Sequence, residues 1–167
     1  MIENVTVRRA LEFAIEAERI GAQFYSRLAE TWQDEPELTE MLATLARDET
    51  RHEQQVRDIL EGLGAAAGDE LPAAESDYLR AISTAEIFYG NHDPLAAVAG
   101  TPDRDDALEL AHHLEKSTLL YYVEMKRLLG AAAGPLDELI AMEKEHLRKV
   151  IGYALTGAKM RGLSDPF

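Results

Sequence analysis

Cysteine is absent from the 167 residues, and its absence excludes disulfides, thiolate zinc sites, iron–sulfur clusters and a catalytic thiol. Any redox chemistry here has to use oxygen and nitrogen ligands. Basic residues are also scarce, with 17 Lys and Arg against 31 Asp and Glu, for a net charge of -14. Such a surface repels phosphate backbones and anionic lipid and concentrates small cations. Neither nucleic acid nor a membrane is therefore expected as a partner. No segment approaches the roughly 20 uninterrupted apolar residues of a membrane span, and residues 1–10 carry charges with no apolar core of a signal peptide. A cytoplasmic location is the expectation. The chain also lacks a Gly-rich phosphate loop, a Ser/His/Asp set in a strand-turn-helix context and a basic aromatic stripe, so hydrolase and nucleic-acid functions find no support.

What is abundant is helix-forming. Ala, Leu, Glu and Arg dominate while Val, Ile and Thr are sparse, which favours an all-α chain. A length of 167 residues fits one domain, 1–167, with a substantial core. Ala10, Leu11, Ala14, Ile15, Ala22, Tyr25, Leu28 and Ala29 recur at helical spacing, predicting a first helix over 7–30. Asp34, Glu35 and Pro36 signal a second start, and Leu42, Leu45, Ala46, Val56, Ile59, Leu60 and Leu63 carry that helix to Gly64. The short break between them makes the two helices antiparallel neighbours. Residues 65–101 read as a long crossover holding one short helix, 75–88, and a small turn at 95–99. Thr101 with Pro102 restarts a helix that runs to about Leu129, and Gly134-Pro135 opens a fourth that runs to about Met160. Two hairpins joined by one long connection make a four-helix bundle with a single crossover.

The two hairpins look like copies of each other. With Glu115 laid on Glu18, the pairs Ala10/Ala107, Leu11/Leu108, Glu12/Glu109, Ala14/Ala111 and Tyr25/Tyr122 are identical without a gap. The second and fourth helices match likewise at Leu42/Leu136, Leu45/Leu139, Glu49/Glu143, His52/His146 and Val56/Val150. Amphipathicity explains the repeated apolar positions, but not Glu and His repeated on the same stripe. Glu18 shares a face with Ala14, Ala22 and Tyr25, and Glu115 with Leu108, Ala111 and Tyr122. Glu49/His52 and Glu143/His146, each at i, i+3, are neighbours on the inward face of their helices. Four carboxylates cannot stay ionised together in a low-dielectric core without cations. Two divalent ions with two imidazole ligands would neutralise them, and hard oxygen donors with one imidazole each suit iron or manganese.

One Glu from each of two helices plus Glu-x-x-His from the other two resembles the ferritin-like di-iron carboxylate proteins. Residues 10–25 and 107–122 look like the metal-ligand helices of rubrerythrin-related proteins. That resemblance implies two iron ions, with manganese or a mixed pair as the alternatives. It makes Glu49 and Glu143 ligands shared by both ions, Glu18 and Glu115 terminal ligands, and His52 and His146 ligands of one ion each. Tyr25 and Tyr122 become hydrogen-bond donors behind the ligands, although a core aromatic with a satisfied hydroxyl is the commoner role for such a residue. Two departures stand out. A full rubrerythrin carries a cysteine-ligated rubredoxin domain, for which this chain has neither cysteines nor length. It also carries a further glutamate one turn after the third helix's terminal ligand, where Thr118 stands here.

The resemblance implies a rubrerythrin-like oxidoreductase that couples Fe(II) oxidation to reduction of oxygen or hydrogen peroxide, served by an external electron donor. A homodimer or larger homo-oligomer goes with that function. The alternatives are iron storage with a ferroxidase centre and a structural bundle without redox activity. Single Glu-x-x-His pairs carry little weight, since Glu109/His112 is another, with Ile15 opposite His112 in the repeat. His112 is assigned to the surface or to the edge of the site. His92 and His113 are assigned to the crossover as solvated residues. Glu12, Glu16, Glu53 and Glu145 are assigned to the exposed faces, with Glu53 close enough to His52 to be checked, and Trp32, Met41 and Met142 to packing.

Overall fold

The structure, a computed structural model, describes residues 5–82, 95, 103–130 and 134–160. Its described elements are helical: α1 (Val7–Thr31), α2 (Pro36–Leu63), a 3-10 turn (Gly64–Gly68), α3 (Ala73–Ile82), α4 (Arg104–Leu129) and α5 (Leu136–Met160). Among the described residues, no helix is long and apolar enough to cross a membrane.

Helix boundaries follow local chemistry. The Thr6 side chain accepts from the amide of Arg9 and opens α1, and Pro36, whose missing N–H costs nothing in a first turn, opens α2. Asp103 opens α4 by accepting from the amide of Asp105 at 2.8 Å. Thr101, expected as that cap, lies with Pro102 outside the described residues; the observed cap is Asp103, one position before the first helical residue. Both α2 and α4 end on a glycine with positive φ, 53° at Gly64 and 54° at Gly130, a backbone that L side chains rarely adopt. Of the expected crossover helix, α3 is observed to Ile82, and residues 83–88 lie outside the described residues. So do His92 and residues 96–99, while Leu95 is helical.

The most extensive contacts run within hairpins, α1 on α2 and α4 on α5, and the hairpins meet along α1–α4 and α2–α5. The core has two apolar clusters. One joins Leu11, Ala14, Val56, Ile59, Tyr121, Met125, Leu136 and Leu139; the other joins Phe24, Leu28, Leu38, Leu42, Leu45, Leu108, Ala111 and Val150. The first draws on the start of α1 and end of α2 with the end of α4 and start of α5, and the second on the opposite halves. Neighbouring helices are therefore antiparallel throughout, and the crossover has to travel the length of the bundle.

Behind Gly64 the chain turns back on its own start. Val7 donates to the carbonyl of Asp69 and Leu71 to that of Val5, while the amide of Val5 donates to Ser76 Oγ at 2.6 Å. Across the hairpins, the buried Tyr121 hydroxyl donates to the carbonyl of Ala10 at 2.8 Å. Tyr121→Phe removes one buried hydrogen bond without opening a cavity. It should lower unfolding stability by about 1 kcal/mol in a urea titration.

Candidate metal centre

Between the two apolar clusters lies a polar layer. Glu18 on α1, Glu49 and His52 on α2, Glu115 on α4, and Glu143 and His146 on α5 are all buried, none more than 4% exposed. The sequence places each there because its position falls on the same stripe as the core residues one turn away. Atoms of Glu49, His52, Glu143 and His146 lie within 4.8 Å of one another, a grouping able to hold a metal ion.

The layer obeys the two-fold relation expected from the repeat. His52 Nδ1 stands 2.8 Å from Glu143 and 3.5 Å from Glu18; His146 Nδ1 stands 3.0 Å from Glu49 and 3.5 Å from Glu115. Each imidazole thus faces its own hairpin's Glu18 or Glu115 and the opposite hairpin's Glu143 or Glu49. The two rings stack on each other at 5.1 Å between centroids. The tyrosines cross over as well: Tyr25 donates to Glu115 Oε1, and Tyr122 to Glu18 Oε1.

These hydroxyls are held to the donor role. Burial, followed by the charges of Glu115 for Tyr25 and of Glu18 for Tyr122, pushes both well above the usual tyrosine range. The carboxyls divide. Burial, reinforced by Glu18, pushes Glu49 and Glu143 well above the carboxylate range. Glu18 lies below that range although burial opposes it, because the neighbouring Glu49 carboxyl and His52 imidazole favour its charged form and Tyr122 donates to it. Burial disfavours the charged form of His52, yet Glu143 and Glu18 outweigh it and raise the group to about 10. Without cations, protons have to perform the neutralisation that four adjacent carboxyls require.

The orphaned atoms test the fit to metal. Glu18 Oε2, Glu49 Oε1, Glu115 Oε2, both Glu143 oxygens, His52 Nδ1 and His146 Nδ1 are buried and have no hydrogen-bond partner. Nitrogen and oxygen approach closely there but at angles that make no hydrogen bond, as lone pairs do when they converge on a common centre. Buried polar atoms left this way cost free energy unless something satisfies them, and the donor set of carboxylate oxygen and imidazole nitrogen fits divalent cations.

The other candidates separate cleanly. Glu12, Glu16, Glu53 and Glu145 face outward in ion pairs with Arg9, Arg19, Arg57 and Arg148, so Glu53 is taken by a neighbour on its own helix. His112 is half-buried on α4. His113 corrects an expectation: it lies within α4, half-buried, and not in the crossover. Thr118 is buried, but its hydroxyl donates to the carbonyl of Leu114 at 3.1 Å and turns away from the layer. Trp32, Met41 and Met142 are partly buried.

Two residues that matter escaped notice in the sequence. Asp48, one position off the ligand stripe and so outward by periodicity, accepts a hydrogen bond from His146 Nε2 at 3.3 Å. Gly21 lies against Glu49: a Cβ built on it would stand 3.2 Å from Glu49 Oε2 and 3.3 Å from Cγ. An unexplained glycine one turn after Glu18 was the available signal.

A single-crossover helical bundle with a buried two-fold layer of four glutamates and two histidines defines the ferritin-like carboxylate class, and its Glu/His group fits a di-metal centre. The chain belongs to the rubrerythrin family, whose model matches residues 9–151. A Thermotoga maritima protein described as a ferritin-like diiron-carboxylate protein has the same fold, with a TM-score of 0.73 at 22% identity over 92% of this chain and 97% of that one. No curated protein matches the sequence.

Gly21→Ala separates folding from positioning. Alanine favours the helix interior by up to about 1 kcal/mol, but its Cβ forces the Glu49 carboxylate to move. The metal-free variant should melt no lower than the wild type, while the rise in melting temperature on adding Mn(II) should shrink. An undiminished rise would mean that the Glu49 position is not critical.

Proposed function

We propose that this chain is a di-iron carboxylate oxidoreductase that couples oxidation of Fe(II) to reduction of oxygen or hydrogen peroxide, in the manner of rubrerythrin-like protection against oxidants. The observation that supports it is the set of buried, unpartnered carboxylate and imidazole atoms arranged about a two-fold axis. In this proposal Glu18 and His52 hold one ion, Glu115 and His146 hold the other, and Glu49 and Glu143 are shared. Iron held by these residues would supply one electron from each ion to a two-electron oxidant.

The protein's own groups supply the rest. Tyr122 and Tyr25 fix the orientation of Glu18 and Glu115 by donating to one oxygen of each, which leaves the other oxygen free to ligate. The apolar clusters on both sides of the layer keep bulk water from competing for the same lone pairs. These 167 residues hold no cysteine relay, so re-reduction is assigned to a donor outside them, and reduced pyridine nucleotides alone should turn them over slowly. The family tie and the ligand types also fit manganese, so iron is the more specific part of the proposal.

Glu49→Ala tests the assignment. It takes a shared ligand from both positions, so both ions should be lost or weakened together, and Fe(II) oxidation with them. Tyr122→Phe should leave the metal content unchanged and alter only the rate. Metal analysis beside an Fe(II) oxidation assay reads both. About two irons per chain in Glu49→Ala, with oxidation unchanged, would sink the assignment.

A further inference from the structure

The two-fold symmetry of the inner layer fails one step outward. The internal relation pairs His146 with His52, Asp48 with Met142 and Arg51 with Glu145. On the His146 side, Nε2 donates to Asp48 Oδ2 at 3.3 Å, and the Arg51 guanidinium holds Asp48 Oδ1 at 3.1 Å. Asp48 is thereby fixed between α2 and α5, with its side chain 20% exposed. On the His52 side the matching position of the repeat carries no carboxylate. Met142 holds that position of the repeat, Glu145 pairs with Arg148, and among the described residues the buried His52 Nε2 has no hydrogen-bond partner. Arg51 reaches the Met142 sulfur at 3.8 Å, so these matched positions do meet across the same helix pair.

The difference has a direct consequence for the ligands. An imidazole whose outer N–H donates to a carboxylate is locked in the tautomer that presents its other nitrogen's lone pair, and that nitrogen becomes a stronger donor. His146 has this support. His52 has none, and when it ligates through Nδ1 its buried Nε2–H remains unsatisfied, a cost that His146 does not bear.

We propose that Asp48 makes the two metal positions unequal: the His146–Glu115 position takes a divalent first-row cation first and holds it, and the His52–Glu18 position fills second and exchanges readily. This rests on the polar layer being a di-metal centre. It adds an order of filling and a one-ion state to that centre, and it assigns Asp48 as a positioning residue acting through His146. Loss of such an outer partner typically weakens metal binding about 10–100-fold, so the two affinities should differ by that order.

Mn(II) titration of the metal-free full-length chain tests this, followed by calorimetry and by electron paramagnetic resonance. The expected result is two steps, with an isolated-ion signal at one equivalent that gives way to a coupled pair at two. In Asp48→Asn the first step should weaken about 10–100-fold and merge with the second, while the helical circular dichroism of the metal-free protein stays unchanged. Met142→Asp, which offers His52 the missing acceptor, should strengthen the second step and guards against a trivial loss of fold. Two indistinguishable steps in the wild type, or an unaltered first step in Asp48→Asn, would overturn the inequality and leave the di-metal centre standing. No Mn(II) uptake by the wild type would overturn the centre itself and the inequality with it.

Discussion

The constraint on which the rest of this structure depends is the burial of four carboxyl groups in one layer of a helical bundle. Apolar residues at Glu18, Glu49, Glu115 and Glu143 would pack the bundle more cheaply, because an ionised carboxylate in a low-dielectric core is strongly disfavoured. Once the four are there, their neighbours are bound to answer them. Two tyrosine hydroxyls donate across the hairpins, two imidazoles stack within the layer, and Glu49 and Glu143 are pushed above the carboxylate range. The protein supplies only part of the compensation. The carboxylate oxygens and imidazole Nδ1 atoms still unpaired in the layer are of the kind that a pair of cations would satisfy.

That layer also explains why so much could be read from the sequence. Core positions tolerate many apolar residues, so a repeated Leu or Ala says only that a helix has an inner face. A repeated Glu and His on that face needs a chemical reason, and the reason specifies which helices must meet. Helix boundaries were legible because Pro36, Gly64 and Gly130 act through local backbone chemistry. The contacts that were not legible are those between elements. Tyr25 and Glu18 share a helix, and nothing in their spacing reveals that Tyr25 serves Glu115 while Tyr122 serves Glu18. Asp48 lies about 100° round the helix from Glu49, which reads as a solvated acid until α5 brings His146 against it. Asp103 replaced Thr101 as the cap by one local hydrogen bond, a choice among adjacent polar residues that propensity does not resolve.

The pattern of symmetry and asymmetry follows from the same constraint. Two ions sharing Glu49 and Glu143 would couple the halves of the layer, so a change to one inner residue is felt by both and the six are held alike. No group is shared between Asp48 and Met142, or between Arg51 and Glu145, and those pairs are free to diverge. Gly21 and Thr118 are the intermediate case, matched by the repeat and each one turn beyond a terminal glutamate. Glycine makes room for the Glu49 carboxylate, whereas threonine fills its place and spends its hydroxyl on the Leu114 carbonyl. Neither adds an oxygen to the layer. The charge to be balanced therefore remains that of four carboxyls, one from each long helix, and the tuning of the centre passes to residues outside it, where Asp48 touches one imidazole and leaves the other alone.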